Sequence, residues 1–384
     1  MTRQSGDLPT REKPRPDGEC RGEKHSVASV AIRFAFCPLW FYSDGINQMK
    51  QTIIATALLA STAMPLMAQD TVYPFTLTNC GIETTFDFAP DSAVTIGQSA
   101  TEILYSLGLA PKVVGTSVWF NPVLPEYAAV NEGIERIADN DPSFESVVGK
   151  KPGLVAVQYE WHVGQSGIVG TREMFHEVGV PTYILPADCD TKDNSTGGDG
   201  TRTGAFETSS VYKGVQELAT IFDVQAAGKD LVAELQSTER DAIARAEKLE
   251  LPDDLSAVFW FSSADLEIDP YVAGRLGAPG YIMDKLGIQN VIETDEEWPT
   301  VGWESIARAD PDVIVVAYMD RRRFPADDIE KKLEFLRTDP VASQMTAVRE
   351  GRVVQMDAHA MSATMRSIYG LETLSEALSE MSFE

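Results

Sequence analysis

Along residues 224–249, apolar side chains recur at three-, four- and seven-residue steps: Val224, Ala227, Leu231, Leu235, Ala242, Ala246 and Leu249. That spacing marks one face of an amphipathic helix. At about 1.5 Å per residue, such a rod is long enough to cross a small domain. Pro252 is expected to stop it, because proline cannot donate to the helical ladder and crowds the preceding turn.

Shorter patterns flank the rod. Residues 72–88 alternate apolar and polar positions around Cys80-Gly81, which predicts a β-hairpin. Val94-Thr95-Ile96 reads as a strand. Ser99-Ala100-Thr101-Glu102 reads as a capping box opening a helix through Ile103, Leu104 and Leu107, with Gly108 as its left-handed C-cap. The strand Val113-Val114-Gly115 follows. The same helix–glycine–strand order recurs at Met174–Gly179 before Thr182–Leu185, and again at Ile282–Gly287 before Ile288. Residues 211–222 predict a helix leading into the rod. Helices alternating with short apolar strands predict α/β architecture with mainly parallel sheets.

A longer repeat organises these elements. Phe144-Glu145-Ser146-Val147 leads to Pro152 and the apolar run Leu154–Val157, and Trp303-Glu304-Ser305-Ile306 leads to Pro311 and Val313–Val316. Each copy reads as a short helix, a proline turn and a buried strand. Two Rossmann-like α/β lobes bridged by one long helix account for both, with an N-terminal lobe over 69–223, the interlobe helix over 224–250 and a C-terminal lobe over 251–384. A chain of 384 residues also exceeds a comfortable single core.

The first 48 residues mix Pro, Gly and charge without periodicity, and are read as a disordered upstream extension. From Met49-Lys50 the pattern changes to the apolar run Ile53–Leu59 and the small-residue site Leu66-Met67-Ala68, the order of a secretory signal peptide over 49–68. The reading expects a true start at Met49 and a mature chain from Gln69, exported to the periplasm. No cysteine follows the run at lipobox spacing, so no lipid anchor is expected. Residues 1–50 carry eight basic and six acidic side chains, leaving 24 against 52 beyond them, a net charge of −28. Such a surface repels nucleic acid and anionic lipid. Cys80 and Cys189 remain beyond the leader, an even pair expected to form a disulfide, with two buried thiols as the alternative.

Catalytic signatures such as G-x-S-x-G, a P-loop or a strand-linked G-x-G-x-x-G are missing. His176-Glu177 begins like a zinc-protease helix, but Val180 stands where the second histidine belongs, so no zinc site is expected. The polar stretch 189–210 reads as a surface loop rather than a calcium loop, since EF-hand spacing is absent. The strand ends are richer. Open parallel sheets bind ligands beyond their carboxyl ends, where Trp119, then Tyr159-Glu160-Trp161-His162, then Tyr318-Met319-Asp320-Arg321-Arg322-Arg323 fall. Aligning the repeats sets Tyr159 opposite Tyr318 and His162 opposite Arg321. As a set, the aromatics suit a bulky flat or catechol-like ligand; singly, each also suits core packing. Three consecutive arginines suit an anionic ligand, or else a solvated cluster pairing with Asp327, Asp328 and Glu330.

Taken with Asn79-Cys80-Gly81, Gln98–Glu102, Ala273-Gly274-Arg275 and Asn290-Val291 through Trp298, the repeats make the chain from Tyr73 onward resemble periplasmic binding proteins of the iron–siderophore/cobalamin class of ABC importers. The resemblance implies a rigid two-lobed, non-enzymatic, monomeric protein with no intrinsic cofactor, which carries a ferric siderophore to a membrane permease. It implies that Glu145 and Glu304 dock the permease, and that Trp298, Arg275 and Arg366 belong to the binding region. The chain departs from the family at Gly153 and in the 189–210 loop. Haem or cobalamin is the alternative cargo, as Tyr159, Trp161 and His162 would also suit haem iron. A metal-chelatase-like enzyme on a related fold is the alternative of another class.

Overall fold

The structure, a computed structural model, describes residues 70–195 and 199–383. The leader, with the predicted extension and signal peptide, lies outside the described residues. The N-terminal hairpin pairs β1 (Phe75–Asn79) with β2 (Ile82–Phe86), turning at Cys80 and Gly81 with φ of 46° and 80°. Positive φ at both turn residues matches the right-handed twist of the strands. Asn79 ties the hairpin to the body: its amide group donates to the Ile184 carbonyl and accepts from the Ile184 N–H, both at 2.8 Å. The buried Arg172 guanidinium adds a bond to the Asn79 carbonyl at 2.8 Å.

The N-terminal lobe runs β3 (Ala93–Ile96), α1 (Gln98–Ser106), β4 (Val113–Ser117), α2 (Ala128–Asn131), β5 (Arg136–Ala138), α3 (Phe144–Val148), β6 (Leu154–Val157), α4 (Arg172–Glu177) and β7 (Thr182–Ile184). Its sheet is entirely parallel in the order β5-β4-β3-β6-β7. The small hairpin β8 (Lys192–Asp193) and β9 (Thr201–Arg202) follows, then α5 (Thr208–Ile221) and the rod α6 (Gln225–Ala246). The C-terminal lobe contains β10 (Ser256–Ser262), β11 (Tyr271–Val272), α7 (Ala278–Lys285), β12 (Gln289–Asn290), α8 (Trp303–Ala309), β13 (Val313–Tyr318), α9 (Ile329–Thr338), α10 (Thr346–Arg349), β14 (Val353–Asp357) and α11 (Arg366–Glu380). Its sheet runs β11-β10-β13-β14, parallel except for β11, with β12 also pairing β10. The repeat is therefore structural: α3–β6 and α8–β13 occupy matching places in two separate sheets.

Two local expectations are corrected. The rod ends at Ala246, well before Pro252; its last turn tightens as the Leu249 N–H bonds to the Ala246 carbonyl at 3.0 Å. Ser99–Glu102 is not a capping box. The N-cap of α1 is Gly97, at φ 124°, and the Ser99 N–H is capped by the Gln158 side chain at 2.9 Å. A Cβ at Gly97 would lie 2.2 Å from the Gln158 Cβ, so only glycine lets the two strand ends approach.

Both lobes fall within one unit of the chain. One buried cluster joins Val94, Ile96, Val155 and Val157 of the first sheet, Ala242 and Ala246 of the rod, and Phe259, Val313 and Val315 of the second. A second packs α1, α5 and the rod onto Tyr281, Met365 and Ile368 from the C-terminal lobe. Glu239 on the rod accepts hydrogen bonds from Tyr212 of α5 and Tyr281 of α7, so one carboxylate ties an element of each lobe.

Candidate functional site

The carboxyl ends of both sheets border one cleft. After β4 come Trp119 and Phe120, after β6 come Gln158–His162, at the end of β10 lies Phe261, and after β13 come Asp320–Arg323. Val118, at φ 60°, makes the bend between β4 and Trp119. A β-branched residue adopts that conformation only under strain, which clusters at functional sites.

Three adjoining cavities fill the cleft, and Phe120, Arg321 and Arg323 line all of them. One, of about 210 Å³, lies between Tyr159, Trp161, Phe261 and Trp298, with Ser362 and Ala363 behind. The Tyr159 and Trp161 rings stack at 4.2 Å and 7°, and Phe261 packs on Trp298 at 4.7 Å. The next, of about 240 Å³, extends past Trp161 to His162 and the exposed Ile168. Together these form an aromatic chamber. The third, of about 670 Å³, opens on the other flank between Trp119, Arg136 and Arg321–Arg323.

Arg321 divides the flank from the aromatic chamber. Its guanidinium carbon lies 3.8 Å from the Phe120 ring centroid, a cation–π seat. Its Nε is buried without a hydrogen-bond partner among the described residues, and burial lowers the guanidinium's proton affinity. A buried donor left unmade costs free energy that an acceptor recovers.

The remaining candidates fall into three groups. Trp119 is 4 % exposed and donates to Thr116 Oγ1 at 3.2 Å, but its ring lines the flank cavity beneath Arg136, at 4.8 Å. Arg322 lines the same cavity, with Asp328 at 3.8 Å. Tyr318 and Arg275 are not brought into the cleft: neither lines any of the three cavities, and Arg275 pairs with Asp295 at 2.7 Å on the surface. Arg366 is enclosed rather than offered to ligand. It pairs with Glu102 across the lobes and with Asp357, and donates to the Pro122 carbonyl at 2.8 Å. Burial works against its charge, and the Glu102 and Asp357 carboxylates more than offset that, holding it protonated.

Phe120, Phe261 and Arg323 also line the cleft, each at one of the strand ends that the sequence pattern marks. The 189–210 loop gives a correction: Lys192 and Arg202 are buried against the aromatic chamber, not laid out on the surface. Lys192 meets Asp188 and Asp199, each at 2.8 Å, and Arg202 meets Glu297 of the opposite lobe at 3.0 Å. Burial pushes Asp188 up to about 6, with Lys192 opposing and Asp199 adding to the shift. Cys80 and Cys189 are disulfide-bonded, anchoring the start of this loop to the first hairpin. Glu145 and Glu304 are exposed in the first turns of α3 and α8, one on each lobe.

His162 is closed in, its Nε2 3.0 Å from Asp141 and its Nδ1 3.3 Å from the Tyr159 carbonyl. Burial, with Asp199 and Asp188 nearby, raises the Tyr159 phenol well above its usual range. Among the described residues no three His, Cys, Asp or Glu side chains converge on a metal site, and no helix is long and apolar enough to cross a membrane.

Comparison with known proteins agrees with this architecture. The uncharacterized ABC transporter substrate-binding lipoprotein YvrC of Bacillus subtilis (strain 168) is 23% identical over 335 residues, 85% of this chain and 94% of that protein. A periplasmic binding protein from Veillonella parvula superposes with a TM-score of 0.65 at 22% identity, over 80% of this chain and 98% of the other. An ABC-type Fe3+-hydroxamate transport system structure from Saccharomonospora viridis gives 0.64 at 23% identity, over 80% and 99%. Residues 94–360, which contain nearly all of both sheets and most of the cleft lining, match the periplasmic binding protein family, and the chain belongs to that family.

Proposed function

We propose that the cleft captures a ferric siderophore and delivers it to the permease of an ABC importer in the inner membrane. The observation that carries this reading is Arg321: a guanidinium seated on Phe120, with an unmet buried donor, in the wall of every cavity of the cleft. Aromatic rings on both lobes, stacked in one pair and tilted in the other, suit the apolar skeleton of a bulky chelate, and a fixed guanidinium donor suits the electron-rich oxygens around its iron. The Fe3+-hydroxamate system among the structural neighbours supports this cargo, and the haem-binding proteins also found there support the alternative. Export through a signal peptide at 49–68 and action as a periplasmic monomer belong to this proposal. So does permease docking through Glu145 and Glu304, one carboxylate per lobe for a two-fold partner.

Haem and cobalamin rank second. Axial ligation of haem iron needs a free imidazole nitrogen or a phenolate. Both nitrogens of His162 have partners, and the surroundings of Tyr159 resist its ionisation.

Tryptophan-fluorescence titration with a ferric trihydroxamate, haem and cobalamin tests the reading. Saturable quenching by the ferric chelate at the lowest concentration is expected. Preference for haem or cobalamin overturns the cargo, and chemical turnover of any of them overturns the binding role.

A further inference from the structure

The flank cavity is about 670 Å³, within the range of small-molecule pockets. It shares Phe120, Arg321 and Arg323 with both cavities of the aromatic chamber, and Asn140 with the outer one. Its chemistry differs: Arg136 from the N-terminal lobe faces Arg321, Arg322 and Arg323 from the other, over the Trp119 ring. Glu132, Asp139 and Asp320 also line it, so its four guanidinium groups exceed the carboxylates by one, in a chain with net charge −26.

Close ion pairs to these cations are few among the described residues. Among the described residues neither Arg321 nor Arg323 has a carboxylate within 4.0 Å. Arg136 pairs only with Asp139, at 3.1 Å, and both side chains are well exposed, at 43% and 77%. An exposed pair of that kind contributes little, so Arg136 exchanges partners at small cost. Trp119 meanwhile fixes the base over which its guanidinium lies, 4.8 Å from the ring.

We propose that the flank cavity is a second subsite, which takes an ionised carboxylate arm of the chelate whose iron centre lies in the aromatic chamber. The inference rests on the ferric-chelate reading above and adds a selectivity to it. Arg321, shared by both chambers, lies at the junction of core and arm, and Arg136 recognises the arm. Guanidinium groups match carboxylates through paired donors, so charge and geometry both favour that arm.

The test uses the full mature chain and two probes: a neutral ferric trihydroxamate, and a ferric citrate-dihydroxamate that carries ionised carboxylates. In Arg136→Gln, affinity for the carboxylate-bearing chelate falls about tenfold, while that for the neutral chelate moves less than twofold. Arg136→Glu deepens the selective loss, and unchanged thermal melting of both variants shows that the fold is kept. Equal losses for both chelates, or no loss for the carboxylate-bearing one, overturn the subsite and leave the cargo reading standing. A wild-type chain that binds neither chelate overturns both.

Discussion

Arg321 and Arg366 are both arginines beside the cleft, and their surroundings give them different work. Arg366 is 6 % exposed and closed by Glu102, Asp357 and the Pro122 carbonyl. Removing one member of such a group leaves buried charge uncompensated. Arg366→Met is expected to cost about 3–5 kcal/mol in equilibrium denaturation. Arg321→Met should instead weaken chelate binding with a smaller change in stability. Local sequence could not separate the two, since Glu102 stands 264 positions from Arg366 and no pattern announces their meeting. The aromatic stack was more legible, because Tyr159 and Trp161 follow an apolar strand within a few residues and strand ends are where parallel sheets bind. Ser99 shows the reverse failure: its motif is locally correct for a cap, yet Gln158 at another strand end does the capping.

At the scale of elements, periodicity found the rod, the hairpin and most strands, and the repeat found the two matched sheets. It misplaced the end of the rod because Pro252 is only one way to stop a helix, and a tightened last turn came first. It also gave no sign of what lies beneath the second sheet. Lys332 of α9 is fully buried, donating to the Ala317 carbonyl at 2.8 Å and to that of Phe261, with the Trp260 ring 5.2 Å away. Burial lowers this amine to about 7. A lysine depressed in the folded state binds its proton more weakly there than in the unfolded chain. Stability should therefore rise with pH from about 7 towards the unfolded lysine value near 10.4, by at most about 5 kcal/mol. Denaturation at a series of pH values checks this, and Lys332→Met should flatten the rise.

In the whole molecule, the lobes meet through bonds at the floor of the cleft as well as through the rod. The N–H groups of Asp320 and Arg321 both donate to the Phe120 carbonyl at 3.0 Å. Asn121 donates to the Tyr318 carbonyl at 3.1 Å and to Asp357 at 2.7 Å. Arg202 adds its cross-lobe pair with Glu297. Opening the lobes breaks all of these together, so binding should shift the backbone by no more than about 1 Å, as in pre-organised complexes. Small-angle scattering with and without ferric chelate should give superimposable curves, and a clear contraction on loading would contradict this. Reversing both exposed carboxylates, in Glu145→Arg with Glu304→Arg, should abolish uptake by cells while leaving chelate affinity intact. Loss of affinity in that double variant would contradict the docking role.

The bond between Cys80 and Cys189 has a further consequence. Under the proposed export, this link closes only after the chain has left the cytosol, where glutathione keeps thiols reduced. Alkylation of these two sulfurs in freshly lysed cells, followed by peptide mass analysis, would therefore act as a passport stamp: labelled molecules never crossed the inner membrane, and unlabelled ones did.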